Sequence, residues 1–539
     1  EIEWGSEQSI YQYIREERKG FDSSRPAVTS LGKTLSYAEL WQEVDTLAAF
    51  FTHQWNLTKG DRIALMLPNS IQFVVCYLAS LKLGLIVTAV NPLYTDRELA
   101  HQVNDSGAKA LVVLDFMLGR FATCRTETGV EQVMVASLAD YMPFWKRPIF
   151  FAIMERQGQI VPEVSFEFDS YRSVISDGYL APFALPQIEL SDTALLQYTG
   201  GTTGVSKGAE LTHQNVVANI KQVQNCIDTT LEYGAEKMLA ALPLYHIFAM
   251  NAAFLSMLRI RAEIVLLPKP VPLDLTVSAI KKHQPTAFVG INTLFNGLLR
   301  HEGFLKLQSY PFKCIVAGGM TLQTSVSKKW LEITGTEIRE GYGLTEASPV
   351  THMNPFQIPA KEQSIGLPVA STEAKVVDEH GQEVAPGELG ELWIRGPQVM
   401  KGYWNRPEAT AESIIDGWLR TGDIATMDEQ GWFSIVDRKK DMIIVSGFNV
   451  YPSEVEEIIA AHTAVSEVAV IGVPSDKTGE MVKAFVVPAD LTQGIDIDQL
   501  KVYCYEQLTR YKVPKEFVLR EELPKSTVGK ILRRKLREE

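Results

Sequence analysis

The amino-acid sequence predicts an α/β fold with a large N-terminal domain and a small α+β C-terminal domain. The chain has 539 residues, of which 46% are apolar and 22% charged, as in ordinary globular proteins. Before Ser364, helical apolar patterns alternate with short β-branched runs. Such alternation is typical of βαβ units and parallel sheets. We therefore expect two α/β subdomains in the N-terminal domain.

The predicted elements alternate in the order that this fold requires. Four early elements are a helix over 73–83, a strand over 85–89, a helix over 96–105 and a strand over 110–114. Two later strands, separated by helical sequence, are predicted over 286–289 and 314–317.

The pattern changes after Ser364. Gly, Pro and Asp turns separate short strands, which predicts a small, mostly antiparallel β subdomain. These strands are predicted over 374–377, 389–395 and 432–436. A charged break at 437–441 is followed by strand, helix, strand, strand, helix and a basic end, about 100 residues in all, a typical domain size. We therefore predict two domains, over 1–436 and 437–539.

Composition excludes several classes of protein. Lys plus Arg is 52 and Asp plus Glu is 65, so the formal net charge is −13, which argues against nucleic acid as a partner. The five cysteines form no C-x-x-C pair, so we expect free thiols in a reducing cytosol and a cytoplasmic protein. Lys82 interrupts the most apolar long stretch, 73–90, which is therefore not expected to span a bilayer. The aromatic, basic stretch 141–154 indicates peripheral contact with the cytoplasmic membrane face, or else a buried or interfacial aromatic cluster.

The strongest local signal is the sequence YTGGTTGVSKG at 198–208. Glycines let backbone amides approach an oxyanion, and the threonine hydroxyls add donors, so this stretch predicts a phosphate-binding loop with Lys207 as its cation. It is not a Walker loop, because Lys207 precedes Gly208 rather than Ser or Thr. It also contains G-x-S-x-G at 204–208, so a hydrolase with Ser206 as nucleophile stays an alternative. A purely structural glycine-rich turn is another.

Three further motifs carry chemistry. In GYGLTE at 341–346, the ring of Tyr342 can lie against a planar base, and Glu346 offers an oxygen ligand suited to Mg²⁺. Asp423, on a tight turn, can accept hydrogen bonds from both hydroxyls of a ribose. Lys530, beside a glycine near the chain end, can reach a distant site. Taken singly, each motif is also compatible with an ordinary turn or a solvated basic tail.

Together, the four motifs in this order resemble the adenylate-forming superfamily of acyl-CoA synthetases, luciferases and peptide-synthetase adenylation domains. The resemblance covers essentially the whole chain, and the run 416–440 is similar to the fatty-acyl-CoA synthetase signature. Bacterial long-chain-fatty-acid–CoA ligases are the subgroup that the chain resembles most. Further matching segments are 242–248, 316–319, 437–441 and 445–452.

The resemblance implies a reaction in two steps. The carboxylate of a long-chain fatty acid attacks the α-phosphorus of ATP with Mg²⁺ present, which gives acyl-AMP and pyrophosphate. The thiol of coenzyme A then displaces AMP. It also implies that the C-terminal domain is mobile and swings about the hinge residue Asp437, so that Lys530 leaves the site and the loop around Gly447 enters it to line the pantetheine tunnel.

The resemblance also assigns roles to single residues. Lys530 would bridge the carboxylate and the α-phosphate, His246 would lie at the entrance of the acyl site with Phe248 in its wall, and Thr345 would contact the α-phosphate. Glu346 and Thr202 are the expected Mg²⁺ ligands. The expected nucleotide- and coenzyme-binding residues are Thr199, Gly200, Gly201, Thr202, Thr203, Gly204, Lys207, Gly318, Gly319, Gly341, Tyr342, Gly343, Thr345, Asp423, Arg438, Lys530 and Gly447.

Three alternatives to this function stay open. One is an adenylating ligase that loads a medium-chain or other acid onto coenzyme A or a carrier protein. The others are the Ser206 hydrolase and a catalytically inactive lipid-binding relative, although Glu346, Asp423, Arg438 and Lys530 are all present. A homodimer is also left open, and the preferred acyl chain length does not follow from the sequence.

Overall fold

The computed structural model describes residues 1–179, 181–199, 206–475, 477–492, 494–526 and 529–539. Within them, two large sheets and one small sheet precede residue 438, and a further sheet follows it. One extensive hydrophobic core joins the two large sheets. The last hundred residues have hydrophobic clusters of their own.

The first large sheet has nine strands and is parallel in its centre. Antiparallel strands lie at both of its edges, where no crossover helix joins them to their neighbours. In spatial order the strands are Leu367–Pro368, Val350–Met353, Ile338–Gly343, Cys314–Ala317, Ala287–Gly290, Lys237–Ala240, Glu263–Leu266, Pro26–Ser30 and Lys33–Ser36.

The second large sheet has eight strands, six of them parallel. Its strands are fully buried in the centre, as expected where helices cover both faces. In spatial order they are Gly402–Tyr403, Gly208–Thr212, Thr193–Tyr198, Ile86–Ala89, Arg62–Met66, Ala110–Leu114, Gln132–Ala136 and Asp169–Ser170.

The two small sheets are largely antiparallel. The sheet before the hinge consists of Glu373–Val377, Gly390–Arg395, Trp418–Met427, Ile414–Ile415 and Phe433–Arg438. The C-terminal sheet consists of Phe448–Val450, Ile443–Val445, Gly479–Pro488, Val465–Ser475 and Glu516–Leu519, of which the last pairs in parallel.

The helices follow the apolar periodicity of the sequence, and several begin at a side-chain cap. Ser70 and Thr95, for example, accept hydrogen bonds from the backbone of the first turns of their helices. The α-helices are Ile10–Arg15, Tyr37–His53, Ile71–Lys82, Asp96–Ser106, Leu118–Cys124, Arg147–Arg156, Tyr171–Asp177, His213–Ile227, Ile247–Ala249, Ser256–Arg259, Leu273–His283, Asn292–Leu298, Glu302–Leu305, Thr324–Thr334, Pro407–Ser413, Pro452–Ala460, Ile497–Gln507 and Arg533–Arg537. Short 3₁₀ turns span Asp115–Met117, Arg125–Glu127 and Thr345–Ala347, and Met250–Leu255 is π-helical.

The predicted fold class is confirmed, with small differences in the elements. The strands predicted at 110–114 and 314–317 have the observed bounds. The strand predicted at 286–289 lies one residue later, although the Thr286 backbone also bonds to Lys237 and Cys314 of the neighbouring strands. The C-terminal region contains two strands more than predicted, since both Phe448–Val450 and Glu516–Leu519 pair with its sheet.

Candidate active site

The candidate site lies at the carboxyl ends of the parallel strands of the first large sheet. Gly318 and Gly319 directly follow the strand Cys314–Ala317, and Tyr342 lies near the end of the neighbouring strand Ile338–Gly343. Ligands of open α/β sheets bind at this edge, because loops and helix ends converge there. The predicted nucleotide-binding residues of two separate motifs are therefore brought together by adjacent strands.

Asp423 joins this edge to the small sheet before the hinge. Its carboxylate accepts a hydrogen bond from the Tyr342 hydroxyl at 2.5 Å and pairs with the Arg438 guanidinium at 3.2 Å. Asp423 and Arg438 are direct cross-strand partners, so the sheet register fixes this ion pair. Burial raises the pKa of Asp423, and the Arg438 charge opposes that rise. The three residues predicted to hold adenine and ribose thus form one contact group.

Lys530 extends into the same place from the C-terminal region. The aliphatic part of its side chain passes Gly319. A Cβ added to that glycine would lie 3.4 Å from the Lys530 Cε. The segment is fixed by hydrogen bonds between Ser526 and the backbone of Lys530 and by one from Thr293 to the Gly529 carbonyl. Burial and the Arg438 charge lower the pKa of Lys530 to about 8. An anion beside this half-buried side chain would stabilise its charged form.

His246 and Phe248 lie on the other side of the glycine pair. Burial, with the nearby Lys530 charge, lowers the pKa of His246 to about 3, so its ring is neutral at pH 7 and carries one N–H donor. An added Cβ on Gly318 would come within 3.0 Å of the Phe248 ring. A neutral donor and an aromatic wall next to a lysine suit a carboxylate that is attached to an apolar chain.

Glu346 is held on a 3₁₀ turn together with Thr345. Its carboxylate accepts a hydrogen bond from the Tyr403 hydroxyl at 2.7 Å, and the Lys207 ammonium lies over the same tyrosine ring at 5.1 Å. Among the described residues, no group of three His, Cys, Asp or Glu side chains could hold a metal ion. A single carboxylate nevertheless fits Mg²⁺, which binds through one or two carboxylates together with waters and substrate phosphates.

The phosphate-binding loop is only partly described. Thr199 and Lys207 pair through backbone atoms across its base, 3.0 Å from N to O. Below them, Tyr198 donates to Asp105, which also pairs with Arg406. Five predicted residues, Gly200, Gly201, Thr202, Thr203 and Gly204, lie outside the described residues, so the Mg²⁺ role of Thr202 stays a prediction.

The geometry contradicts the hydrolase alternative. A nucleophile elbow needs a strand, a sharp turn and a helix, whereas Ser206 stands between the strands Thr193–Tyr198 and Gly208–Thr212. Its hydroxyl donates to the Thr199 carbonyl at 2.5 Å. The hydroxyl therefore serves to close the loop base, and the G-x-S-x-G match is a coincidence of composition.

Gly447 lies outside this contact group. It is an exposed residue of a hairpin turn at φ +84°, and an added Cβ would have no atom within 4 Å. Phe448 beside it is exposed and stacks on Tyr511 with ring centroids 4.8 Å apart. In this arrangement the predicted coenzyme loop and the nucleotide residues are therefore not in contact.

The predicted hinge residue, Asp437, bonds to the C-terminal region. Its carboxylate accepts a hydrogen bond from the Ser453 backbone at 2.7 Å and lies 3.6 Å from the Arg533 guanidinium. Arg533 in turn pairs with Glu456 at 2.7 Å and with Asp441 at 3.5 Å. Arg533 stands three residues beyond Lys530, so these ion pairs tie the lysine segment to the hinge.

Sequence reasoning missed two of these residues, Tyr403 and Arg533. Tyr403 lies 57 positions from Glu346, and only the pairing of Gly402–Tyr403 with the strand Gly208–Thr212 brings it there. Arg533 belongs to the terminal basic run, for which a solvated tail was one of the open alternatives. Both carboxylates of the charged break at 437–441, Asp437 and Asp441, lie near Arg533 in the fold, but no local pattern in the sequence connects them.

The stretch 141–154 is exposed in part. Phe144 and Trp145 are 79% and 57% exposed, and the helix Arg147–Arg156 has no fully buried residue. Phe150 and Phe151 are half-buried and form ring contacts with Phe116, so the alternative of a buried or interfacial aromatic cluster stays open for this part. No helix in the described part of the chain is long and apolar enough to cross a bilayer.

Comparison with known proteins identifies the family. Residues 15–404 match the AMP-binding enzyme family, and residues 454–530 match the AMP-binding enzyme C-terminal domain. The chain is 45% identical to a long-chain-fatty-acid–CoA ligase of Salmonella typhimurium, over 96% of this chain and 92% of that protein. It is 42% identical to a long-chain-fatty-acid–CoA ligase of Bacillus subtilis, with the same two coverages.

A solved structure matches the whole architecture. The crystal structure of ATP-bound MatB from Rhodopseudomonas palustris superimposes with a TM-score of 0.85 at 29% identity and covers 98% of both chains. The order of the four motifs, the contact between the predicted nucleotide-binding residues Tyr342 and Asp423, and the two family matches agree with one another. The chain therefore belongs to the AMP-binding enzyme family, within the adenylate-forming superfamily.

Proposed function

We propose that this protein is an AMP-forming long-chain-fatty-acid–CoA ligase, which uses ATP and Mg²⁺ to join a fatty acid to coenzyme A through acyl-AMP. The relatives that share 42–45% of its residues carry that name. The observation that carries the proposal is the contact group in which Lys530 lies among Asp423, Arg438 and Gly319. It combines a ribose acceptor and a cation for the α-phosphate in one place.

In the first step, the protein positions two anions and neutralises the charge between them. Asp423 would accept from the ribose hydroxyls, and Tyr342 would lie against adenine. Lys530, below its pKa of about 8, would attract both the fatty carboxylate and the α-phosphate oxygens. Bringing two anions together costs electrostatic energy in water, so a buried cation between them lowers the barrier most where charge develops. Bound Mg²⁺ would neutralise phosphate charge beside Glu346.

The acyl-AMP bond makes the second step easy, because AMP is a good leaving group and a thiol is a strong nucleophile. The resemblance to adenylate-forming enzymes implies that Lys530 leaves the site for this step. We therefore place the division between two domains at Asp437 and propose that the C-terminal domain turns there, which would bring Gly447 to the site. The ion pair of Asp437 with Arg533, at 3.6 Å, is longer than that of Arg533 with Glu456 and would be the one that breaks.

The exposed helix at Arg147–Arg156 is proposed as a membrane contact. This helix and the residues just before it carry four apolar side chains that are each about half exposed or more, Phe144, Trp145, Ile149 and Ile153. Lys146, Arg147 and Arg156 flank them. Aromatic and basic residues on one exposed segment suit the headgroup region of an anionic bilayer. We propose that the protein takes its fatty acid from the cytoplasmic membrane face.

A homodimer stays a prediction, which sedimentation equilibrium would test.

Pyrophosphate release across fatty acids of increasing length, with and without coenzyme A, tests the proposed function. Each methylene buried in an apolar tunnel contributes about 0.8 kcal/mol, so kcat/KM should rise with chain length until the tunnel is full. Acetate should be a very poor substrate. A maximum at acetate or at an aromatic acid would overturn the fatty-acid assignment and leave adenylation intact, and release that does not depend on any acid would overturn both.

Vesicle sedimentation tests the membrane contact. Replacing Phe144, Trp145 and Ile149 by Ser should reduce binding to anionic vesicles while activity on detergent-dispersed fatty acid stays near that of the unchanged protein. Replacing Val502 and Tyr505, which are exposed on the C-terminal region, by Ser provides the matched control. Equal binding of the two variants would contradict the assignment to this helix.

A further inference from the structure

A run of buried polar side chains lies directly behind the candidate site. Six of them are 0% exposed, a rare condition for amides and hydroxyls in an apolar core. None of them has a role in the reaction as proposed so far. They are Asn219, Gln222, Asn251, Ser256, Ser348 and Gln398.

Asn251 is the centre of this network, on the π-helical segment Met250–Leu255. Its amide nitrogen donates to the Asn219 side-chain oxygen at 2.9 Å and to the Ser348 carbonyl at 2.7 Å. Its own side-chain oxygen accepts from the Ser256 hydroxyl at 3.0 Å. Each polar atom of the amide is thus paired, which is what a buried amide must achieve.

The π-helical segment is continuous with the helix that carries the predicted acyl-site residues. Ile247–Ala249 precedes it, and the Met250 backbone donates to the His246 carbonyl at 3.0 Å. π-Helical turns have i→i+5 hydrogen bonds and are frequent at functional sites. The continuous segment faces two ways, with Phe248 toward Gly318 and Asn251 toward Ser348.

Ser348 directly follows the turn that carries Thr345 and Glu346. It has φ +70°, a left-handed conformation that is unfavourable for serine and needs support from its surroundings. Two contacts supply it, since Asn251 donates to the Ser348 carbonyl and the Ser348 hydroxyl donates to the Gln398 carbonyl at 2.9 Å. Asn219 fixes the start of the next strand, because its side chain accepts a hydrogen bond from the Val350 N–H and donates one to the Val350 carbonyl.

We propose that Asn251 is a positioning residue, which fixes the Thr345–Glu346 turn relative to His246 and Phe248. The acyl carboxylate and the α-phosphate must meet at a fixed distance, and the two sets of residues belong to different elements. Asn251 links these elements through a single side chain. This inference rests on the proposed function, because it assigns Asn251 to the adenylation step.

The test compares Asn251→Leu, of similar volume but without donors, with Gln102→Met. Gln102 is also a buried amide that donates twice, to Thr88 and Ala89, outside the site. Three quantities are measured: kcat and fatty-acid KM for pyrophosphate release, the Mg²⁺ concentration for half-maximal release, and the rise in Tm that ATP with Mg²⁺ causes without fatty acid.

For Asn251→Leu we expect kcat to fall by about 10²-fold, the scale of a small misplacement of reacting groups. The Mg²⁺ requirement should rise, the ATP-dependent Tm increase should shrink, and fatty-acid KM should change little. Gln102→Met should have a lower Tm than the unchanged protein. Its kinetic constants, its Mg²⁺ requirement and its ATP-dependent Tm increase should stay the same. Unchanged kcat and Mg²⁺ requirement in Asn251→Leu, in a protein whose unchanged form is active, would overturn the inference. An inactive unchanged protein would instead overturn the proposed function.

Ser256→Ala decides the matter if Asn251→Leu does not fold. It removes only the hydroxyl that orients the Asn251 amide. We expect a smaller change in the same direction, a few-fold increase in the Mg²⁺ requirement with kcat reduced and fatty-acid KM retained. A Mg²⁺ requirement equal to that of the unchanged protein would then overturn the inference.

Discussion

The Lys530 segment and the Gly447 loop belong to the same C-terminal region and are predicted to serve the same site, yet they differ sharply in their surroundings. Lys530 is half-buried beside Asp423 and Arg438, and its segment bonds to Thr293. Gly447 is exposed and has open space around it. The residues predicted for the first half-reaction are thus in contact, while the loop predicted for the second stands apart. In the proposed mechanism, one site serves both half-reactions because it holds only one set of residues at a time.

Lys530→Ala should impair the first half-reaction, the formation of acyl-AMP. Loss of one charged donor to a transition state costs about 10²–10³ in rate, so acyl-AMP formation should fall by that factor. Thioester formation from supplied acyl-AMP should be largely retained. Lys525→Ala is the control, because Lys525 pairs only with the nearby Glu467 at 2.6 Å among the contacts described for it. An equal loss of rate in both half-reactions of Lys530→Ala would contradict the assignment of Lys530 to acyl-AMP formation alone.

Gly447→Leu should affect the second half-reaction, the transfer of the acyl group to coenzyme A. If the loop lines the thiol path, a branched side chain there should reduce coenzyme A transfer by about tenfold or more, and acyl-AMP formation should stay near its original rate. The backbone at φ +84° adds strain of about 1–2 kcal/mol. Gly494→Leu, at φ +69° and also with open space around it, controls for that strain. Normal transfer in the Gly447 variant would show that the loop does not enter the site.

The pH dependence of acyl-AMP formation should sharpen the role of Lys530. Its pKa is lowered to about 8 by burial and by the Arg438 charge, so the ammonium is present below pH 8 and is lost above it. The kcat/KM for adenylation should therefore fall by about tenfold per pH unit on the basic side of 8. Lys530→Arg, whose charge persists at high pH, should be slower but lack this decline. A decline that persists in the arginine variant would assign it to another group.

Arg533→Lys should give the smallest effect. A lysine keeps the charge but cannot form the two-pronged contact with Glu456. Loss of one charge-assisted hydrogen bond, about 1 kcal/mol, should slow acyl-AMP formation by about fivefold and leave coenzyme A transfer unaffected. Arg534→Lys, an exposed neighbour that pairs with Glu538, should have no effect. A similar change in both half-reactions would mean that Arg533 only stabilises the domain.

Much of this site follows from local sequence, and the rest depends on tertiary contacts. The glycine-rich loop, the Gly341–Glu346 motif and Asp423 are recognisable because each needs specific residue types at fixed short spacing. The fold class follows from periodicity for the same reason. By contrast, Asn251 appears in the sequence as one polar residue within an apolar helix, since its partners Asn219 and Ser348 lie 32 and 97 positions away. Pattern reasoning has no access to such pairs.

The strand Phe433–Arg438 limits the insertions and deletions that this chain can accept during evolution. Asp437 bonds to the Ser453 backbone, and its neighbour Arg438 pairs with Asp423 in the predicted ribose site. Successive residues of a strand point to opposite faces, so inserting or deleting one residue here would exchange the two side chains. Substitutions in the strand can be tolerated one at a time, but its length cannot vary. Related chains should therefore have the same number of residues in this strand, from the position of Phe433 to that of Arg438, whereas the turn at 428–432 can differ in length.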